Sequence, residues 1–114
     1  MKNIKRIFIL VVLSFSTLYQ FGQNGMNLSL IGTYEWTNTE GSDIWGWADP
    51  NGNEYALVGL NDGFSVVNIS NPANPVEEFY IPDLNSTWRD IKTWGHYAYV
   101  TTEADAGLLI VDLN

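Results

Sequence analysis

The seven residues GFSVVNI at positions 63–69 return as GLLIVDL at positions 107–113. Ahead of them, DIWGW at positions 43–47 returns as DIKTW at positions 90–94, so each copy also reads Asp-Ile-x-x-Trp. Two apolar segments that recur in the same order indicate a duplicated structural unit.

A third segment fixes the length of the repeat. YALV at positions 55–58 returns as YAYV at positions 97–100. The three pairs are offset by 47, 42 and 44 residues, because the connections differ in length while the apolar segments keep their order. A period in the forties built from short strand-like segments is typical of a β-propeller blade or a related repeat array. One such unit cannot bury its own apolar faces, so it needs neighbours.

Turn signals divide the first copy into short strands. The pattern predicts four of them, at residues 44–48, 55–60, 64–69 and 76–81. The third is almost fully apolar and is therefore predicted to be buried on both faces. A weakly alternating stretch at residues 27–36 predicts a leading strand, of the kind that completes the last blade of a propeller. Because no helical period follows residue 23, the prediction is an all-β fold. We expect a β-propeller-type repeat of four-stranded antiparallel blades, with only about two blades present in this chain.

The first 23 residues have the layout of a secretory signal peptide. Lys2, Lys5 and Arg6 precede an unbroken apolar run at residues 7–13, which is short for a membrane span of roughly 20 residues. The sequence therefore predicts a cleaved leader over residues 1–23, with an uncleaved anchor as the alternative. Residues 24–114 are predicted to be the N-terminal, incomplete part of a propeller domain that is not inserted in a membrane after cleavage.

The charge of the remaining chain is strongly unbalanced. Only Arg89 and Lys92 oppose all 13 carboxylates, which gives a net charge of −11 with the histidine neutral. Such a surface repels phosphate backbones and anionic lipid, so nucleic-acid and membrane-surface binding are poor hypotheses. The chain has no cysteine, so a secreted domain of this size needs an apolar core, which its many aromatic residues can supply.

The repeated segments resemble a known family. Residues 107–112 resemble the LVIVD repeat of bacterial surface β-propellers, and residues 64–76 resemble the same repeat with its Ser-x-Pro-x-x-Pro exit. Three further segments are together similar to the N-terminal portion of the choice-of-anchor B proteins: DIWG at 43–46, NEYA at 53–56 and WRDIKT at 88–93. This resemblance implies a secreted or surface-exposed location, and it supplies no catalytic residues.

Arg89 and Asp90 are the first candidates for a ligand site. A guanidinium can bind a carboxylate or sulfate through two parallel hydrogen bonds, and Arg89 is one of the two cations outside the leader. The alternative is a structural ion pair that recurs in each blade, because Asp43 occupies the place of Asp90 in the first copy. Both interpretations stay open at this point.

Two tryptophans are candidates for stacking against a sugar ring. Trp45 and Trp88 have no counterpart in the other copy, which favours a specific role in ligand binding. Trp47 and Trp94 recur in register and therefore favour packing between blades.

A weak metal signal lies between the first two predicted strands. Asp49, Asn51 and Asn53 have the alternate-residue spacing that opens a calcium loop, but the twelfth position is Leu60 rather than glutamate. A hairpin turn that needs no ion is the favoured interpretation, and no cofactor is predicted. The single histidine, His96, has no second histidine or cysteine with which to bind zinc and is predicted to lie in a turn.

The leading functional hypothesis is a non-enzymatic, secreted or cell-surface β-propeller that acts as a binding or display module. Its expected partners are an unidentified extracellular protein or glycan and the downstream blades of the same chain. The alternative is an extracellular hydrolase or glycan-active enzyme whose catalytic residues lie in those downstream blades. A third possibility is a structural module that spaces a C-terminal anchor.

Overall fold

The computed structural model describes residues 28–114, and all of them lie in strands, turns or extended connections. The predicted leader at residues 1–23 falls outside this range. Within residues 28–114, none of the chain forms a helix of the length and apolarity that a membrane span requires.

The first repeat forms a four-stranded antiparallel sheet in the order β1-β2-β3-β4. Its strands are β1 (Gly41–Ala48), β2 (Glu54–Leu60), β3 (Gly63–Asn68) and β4 (Val76–Pro82). The turn between β1 and β2 contains Asn51 and Gly52, and Gly52 has a φ of 87°, which a side chain would disfavour. The all-β prediction and the four predicted strands of the first copy are confirmed, with ends that shift by a few residues at most.

The second repeat forms a three-stranded antiparallel sheet in the order β5-β6-β7. Its strands are β5 (Ile91–Trp94), β6 (Tyr97–Thr101) and β7 (Leu108–Asp112). These strands correspond one to one with β1, β2 and β3, so the described chain holds one four-stranded blade and three strands of a second. His96 lies in the turn between β5 and β6, as predicted.

Residues 28–36, where a leading strand is predicted, form no strand in the described part of the chain, and their pairing with a last blade stays a prediction. Residues 28–40 pair with no strand of either sheet. Instead, Trp36 lies on one face of the first sheet, where its indole Nε1 donates to Ser65 Oγ at 3.2 Å and Glu77 Oε1 at 2.9 Å. Side-chain hydrogen bonds to the face of the sheet thus take the place of backbone pairing at its edge.

The apolar core lies between the two sheets. Its buried members are Leu57, Phe64 and Val66 from the first sheet and Ile91, Ala98, Val100 and Val111 from the second. Phe64 and Val66 alternate along β3 with Ser65 and Val67, which face the opposite way and are buried as well. The prediction that β3 is covered on both faces is therefore confirmed.

Strands β1 and β5 meet at the edge where the two sheets converge. Hydrogen bonds join four pairs of residues along this edge: Arg89 N to Ser42 Oγ at 3.0 Å, Ile91 N to Asp43 Oδ2 at 2.9 Å, Trp45 Nε1 to Thr93 Oγ1 at 3.0 Å, and Trp47 Nε1 to the Gly95 carbonyl at 3.1 Å. Each bond joins residues 47 or 48 positions apart, which is one repeat. The repeat in the sequence therefore predicts the register in which the sheets dock.

The far side of the second sheet is uncovered within residues 28–114. Its exposed apolar side chains are Trp94 (81% exposed), Tyr97 (38%), Leu108 (52%) and Ile110 (55%), and we call them the open face. They occupy the repeat positions of Trp47, Tyr55, Phe64 and Val66, which face the second sheet from the first. The second sheet therefore presents outward the same positions that the first sheet buries.

Asp43 and Asp90 offer a matched test of the contact between the sheets. The Asp43→Ala substitution should lower the free energy of unfolding by about 1.5–3 kcal/mol, because it removes a charged acceptor from the Ile91 N–H. The Asp90→Ala substitution should change it by less than about 0.5 kcal/mol, because Asp90 is exposed. Urea denaturation followed by tryptophan fluorescence measures both, and equal losses would contradict the proposed register.

Candidate functional site

One end of the first sheet gathers three connections of the chain. Because neighbouring strands are antiparallel, β1 and β3 begin at this end of the sheet, and β2 and β4 end there. Residues 38–40 before β1, the β2–β3 turn at Asn61 and Asp62, and the β4–β5 connection at residues 83–90 therefore lie side by side. Binding residues often lie in loops whose positions are fixed by a rigid sheet.

An open groove of about 720 Å³ lies among these connections. We call it the polar groove, and its lining residues are Asn38, Thr39, Glu40, Asn61, Asp62, Asn85, Ser86 and Thr87. All eight carry an amide, hydroxyl or carboxylate group, and no lysine or arginine lines the groove. Its volume falls in the range of about 300–1,000 Å³ that is typical of small-ligand sites.

Several groups in the polar groove are free to bind a ligand. The side chains of Asn61, Asn85 and Thr87 make no hydrogen bond to any residue in the range 28–114, and the same is true of Asn38 and Glu40. The two amides of Asn61 and Asn85 each offer two N–H donors and one oxygen acceptor. The groove can therefore donate and accept hydrogen bonds at the same time.

The walls of the groove are fixed by main-chain hydrogen bonds. Asn61 N donates to the Glu40 carbonyl at 2.9 Å, and Ser86 N donates to the Asn61 carbonyl at 2.8 Å. Asp83 N donates to the Asp62 carbonyl at 2.9 Å. All three connections are thus tied to one another, which holds the free side chains in place before a ligand arrives.

Arg89 supports the groove from beneath. Its side chain is fully buried, and Nε donates to the Leu60 carbonyl at 2.7 Å while Nη1 pairs with Asp83 Oδ2 at 2.5 Å. Nη2 donates to the Leu84 carbonyl. Since these contacts engage all three guanidinium nitrogens, the geometry favours the structural alternative for Arg89 over the ligand clamp.

Gly59 makes room for Arg89. A Cβ atom at Gly59 would lie 2.9 Å from the Arg89 Cβ and 3.2 Å from its carbonyl oxygen, closer than side chains tolerate. The glycine in β2 therefore lets the β4–β5 connection approach the sheet closely enough for Arg89 to reach Leu60.

Asp62 stays ionised at one wall of the groove. Its Oδ1 accepts a hydrogen bond from Thr39 Oγ1 at 2.6 Å, and this bond is the main cause that lowers the pKa of Asp62. The hydroxyl of Tyr80 donates to the Asp62 carbonyl at 2.7 Å. Burial, followed by this contact with Asp62, raises the pKa of Tyr80, so the phenol remains protonated.

A second hollow of about 320 Å³ adjoins the polar groove through Thr39 and Asp62, which line both. We call it the aromatic annex, because Tyr34, Trp36 and Tyr80 contribute to its walls. Tyr34 and Trp36 meet edge to face with their ring centroids 5.0 Å apart. Burial and the nearby Glu77 carboxylate raise the pKa of Tyr34, so this phenol too remains protonated.

The other predicted ligand residues are scattered rather than gathered. Asp43 and Trp45 belong to the contact between the sheets, where Lys92 Nζ also lies 4.2 Å from the Trp45 ring centroid. Asp90 is exposed next to the second sheet. Trp88 is 61% exposed and directly follows Thr87 of the polar groove. It is the only one of the four scattered candidates that is next to a groove residue in the sequence.

The weak calcium candidate forms a turn at the opposite end of the first sheet. Asp49 Oδ1 accepts hydrogen bonds from Asn51 N at 2.8 Å and Asn53 N at 2.9 Å, and Oδ2 accepts from Asn53 Nδ2 at 2.7 Å. The bond from the Asn53 side chain is the main cause that lowers the pKa of Asp49. The carboxylate is engaged by its own turn, which favours the hairpin interpretation.

Sequence reasoning missed the residues of the polar groove. They come from three connections far apart in the chain, and no short motif joins them. The available signal was indirect: the offsets between repeats change from 47 to 42 to 44 residues, so the connections differ between copies. Loops that differ between otherwise similar repeats are places to look for a specific site.

Comparison with known proteins gives one match. The profile of the LVIVD repeat matches residues 52–81 and 87–113, which together make up half of the chain. The first match covers β2 to β4 and the second covers β5 to β7. No curated protein matches the chain, and no solved structure does.

Proposed function

This chain belongs to the LVIVD repeat family, and on that premise we propose that it is a secreted or cell-surface module that binds an extracellular partner. The polar groove is the observation that carries this proposal. It combines free amide and hydroxyl groups with walls that are already fixed, and both features lower the cost of binding. In this proposal the protein belongs to the bacterial choice-of-anchor B type and performs no catalysis.

Two observations support binding over catalysis. A glycoside hydrolase uses two carboxyl groups, of which one has a raised pKa and serves as the acid. Hydrogen bonds lower the pKa values of Asp49 and Asp62, so neither carboxyl group has the raised pKa that such an acid needs. The single histidine, His96, lies at the opposite end of the sheets from the groove. The alternative function, an extracellular hydrolase or glycan-active enzyme, would place its catalytic residues in further blades.

We infer that a further LVIVD sheet covers the open face of the second sheet. The first sheet binds the second through Asp43, Trp47 and Phe64, and the second sheet repeats these positions as Asp90, Trp94 and Leu108. The carboxylate of Asp90 would accept a hydrogen bond from a main-chain N–H of the further sheet, as the carboxylate of Asp43 accepts one from Ile91 N. The indole of Trp94 would donate to a carbonyl, as that of Trp47 donates to Gly95.

An array that holds neutral glycans, acidic glycans and cationic peptides tests the binding function. The full chain should bind at least one of these classes. The double substitution of Asn61 and Asn85 by alanine should weaken that binding by at least about tenfold, because each amide supplies hydrogen bonds of about 1 kcal/mol. Thermal denaturation of the variant should match that of the parent chain, since neither side chain binds the described protein.

Asn74→Ala is the matched control. Asn74 is an exposed asparagine in the β3–β4 connection, at the end of the sheet opposite the groove. Its replacement should leave binding unchanged. The absence of any binding, or equal losses in the groove variant and the control, would overturn the proposed function.

A further inference from the structure

We propose that the polar groove and the aromatic annex together form a site for a neutral oligosaccharide. This inference rests on the proposed binding function and names the class of its ligand. The observation behind it is the juxtaposition of two surfaces that share Thr39 and Asp62: one made of amide, hydroxyl and carboxylate groups, the other walled by aromatic rings.

The polar groove fits the hydroxyl groups of a sugar. Neighbouring hydroxyls each act as donor and acceptor, so they need partners of both kinds. Asn61 and Asn85 offer both, while Glu40 and Asp62 only accept as carboxylates. A purely apolar ligand would leave these groups without partners, which is costly on binding.

The charge of the site excludes anionic ligands. Glu40 and Asp62 line the groove, and Glu35 and Glu77 line the annex. Of the two cations in residues 28–114, Arg89 is engaged by protein acceptors and Lys92 lies over Trp45. A sulfated or uronic acid sugar would meet uncompensated repulsion, so acidic sugars are excluded.

The aromatic annex favours a sugar ring over other polar ligands. The face of a pyranose ring carries C–H groups that pack against an aromatic ring, whereas an open-chain polyol offers no such flat face. Tyr34 and Trp36 support each other edge to face, and the indole of Trp36 is held by Ser65 and Glu77. The rings are therefore fixed before a ligand binds.

The two surfaces together offer room for more than one sugar unit. The polar groove has about 720 Å³ and the annex about 320 Å³. An oligosaccharide can thus place one ring at the annex while the hydroxyls of the next meet Asn61 and Asn85. We therefore expect longer neutral chains to bind more tightly than the monosaccharide.

Isothermal titration calorimetry of the full chain with neutral gluco-, manno- and galacto-oligosaccharides tests the ligand class. We expect at least one series to bind, with a Kd that changes less than about twofold between low and high salt, since no ligand charge is screened. Tyr34→Ala should weaken binding of that oligosaccharide by about 3- to 10-fold and leave the binding of sorbitol unchanged. The double substitution of Asn61 and Asn85 by alanine should weaken binding of the oligosaccharide and of sorbitol alike.

The outcomes separate this inference from the function on which it rests. If only a cationic peptide binds, with an affinity that falls steeply with salt and is lost in the Asn61 and Asn85 variant, the groove is a binding site but its ligand is not a sugar. If acidic oligosaccharides bind as well as neutral ones, the charge assignment is wrong. If neither sugars nor peptides bind, both the ligand class and the proposed function fail.

Discussion

The Arg89→Met substitution is expected to lower the free energy of unfolding by about 3–5 kcal/mol. Methionine fills much of the same volume, so the loss reports on hydrogen bonding rather than on a cavity. Three acceptors lose their donor at once: the Leu60 carbonyl, the Asp83 carboxylate and the Leu84 carbonyl. The midpoint of urea denaturation, followed by tryptophan fluorescence, measures the effect.

Two further variants make the Arg89 result specific. Arg89→Lys keeps the charge, but a single ammonium cannot replace three nitrogens spread over a planar group, so we expect a partial loss. Lys92→Met removes the other cation of the described residues, whose contact with the Trp45 ring is exposed, and should cost less than about 1 kcal/mol. If Arg89→Met costs no more than Lys92→Met, Arg89 does not support the groove as described.

The Phe64→Ala substitution is the second change with a large expected effect, a loss of about 3–5 kcal/mol in the free energy of unfolding. Phe64 is fully buried and belongs to the core between the sheets. Its removal leaves a cavity in the core that the first sheet shares with Ile91 and Ala98 of the second. Both sheets should therefore lose stability together, and denaturation should remain a single transition when it is followed by fluorescence and by circular dichroism.

Leu108 is the matched control for Phe64, because it holds the same position in the second repeat. It is 52% exposed on the open face, so Leu108→Ala should cost less than about 0.5 kcal/mol. In a chain extended by one more LVIVD repeat, the same substitution should cost about 2 kcal/mol or more, as expected for a buried leucine. An unchanged, small cost in the extended chain would contradict the inference that a further sheet covers the open face.

The sequence predicted the fold well where the repeat carries the signal. Residues 64–69 were predicted as a strand buried on both faces, and β3 spans Gly63–Asn68 with both faces covered. Alternation and turn residues are local properties, so they can be read without knowledge of the partner strand. Residues 28–36 alternate in the same way but form no strand in the described chain, because Trp36 contacts a sheet face rather than a sheet edge.

The candidate site was harder to predict than the fold. Arg89 was singled out correctly as an unusual cation, but its main acceptors are carbonyl groups, which any residue supplies and no sequence pattern marks. Trp45 was singled out as a residue without a counterpart, although its partner Thr93 lies in the second repeat. The polar groove depends on how three distant connections meet, which only the three-dimensional structure shows.

The hydrogen bonds between β1 and β5 carry a consequence for how such proteins change over generations. Three of these bonds end on main-chain groups of the second repeat, those of Arg89, Ile91 and Gly95. For the last two, the side chains at the other end, Asp43 and Trp47, recur as Asp90 and Trp94. A whole unit gained or lost by recombination within the gene would bring matching partners for these two bonds to each new junction. A change by whole units therefore keeps these two bonds, while a deletion of half a unit would remove them.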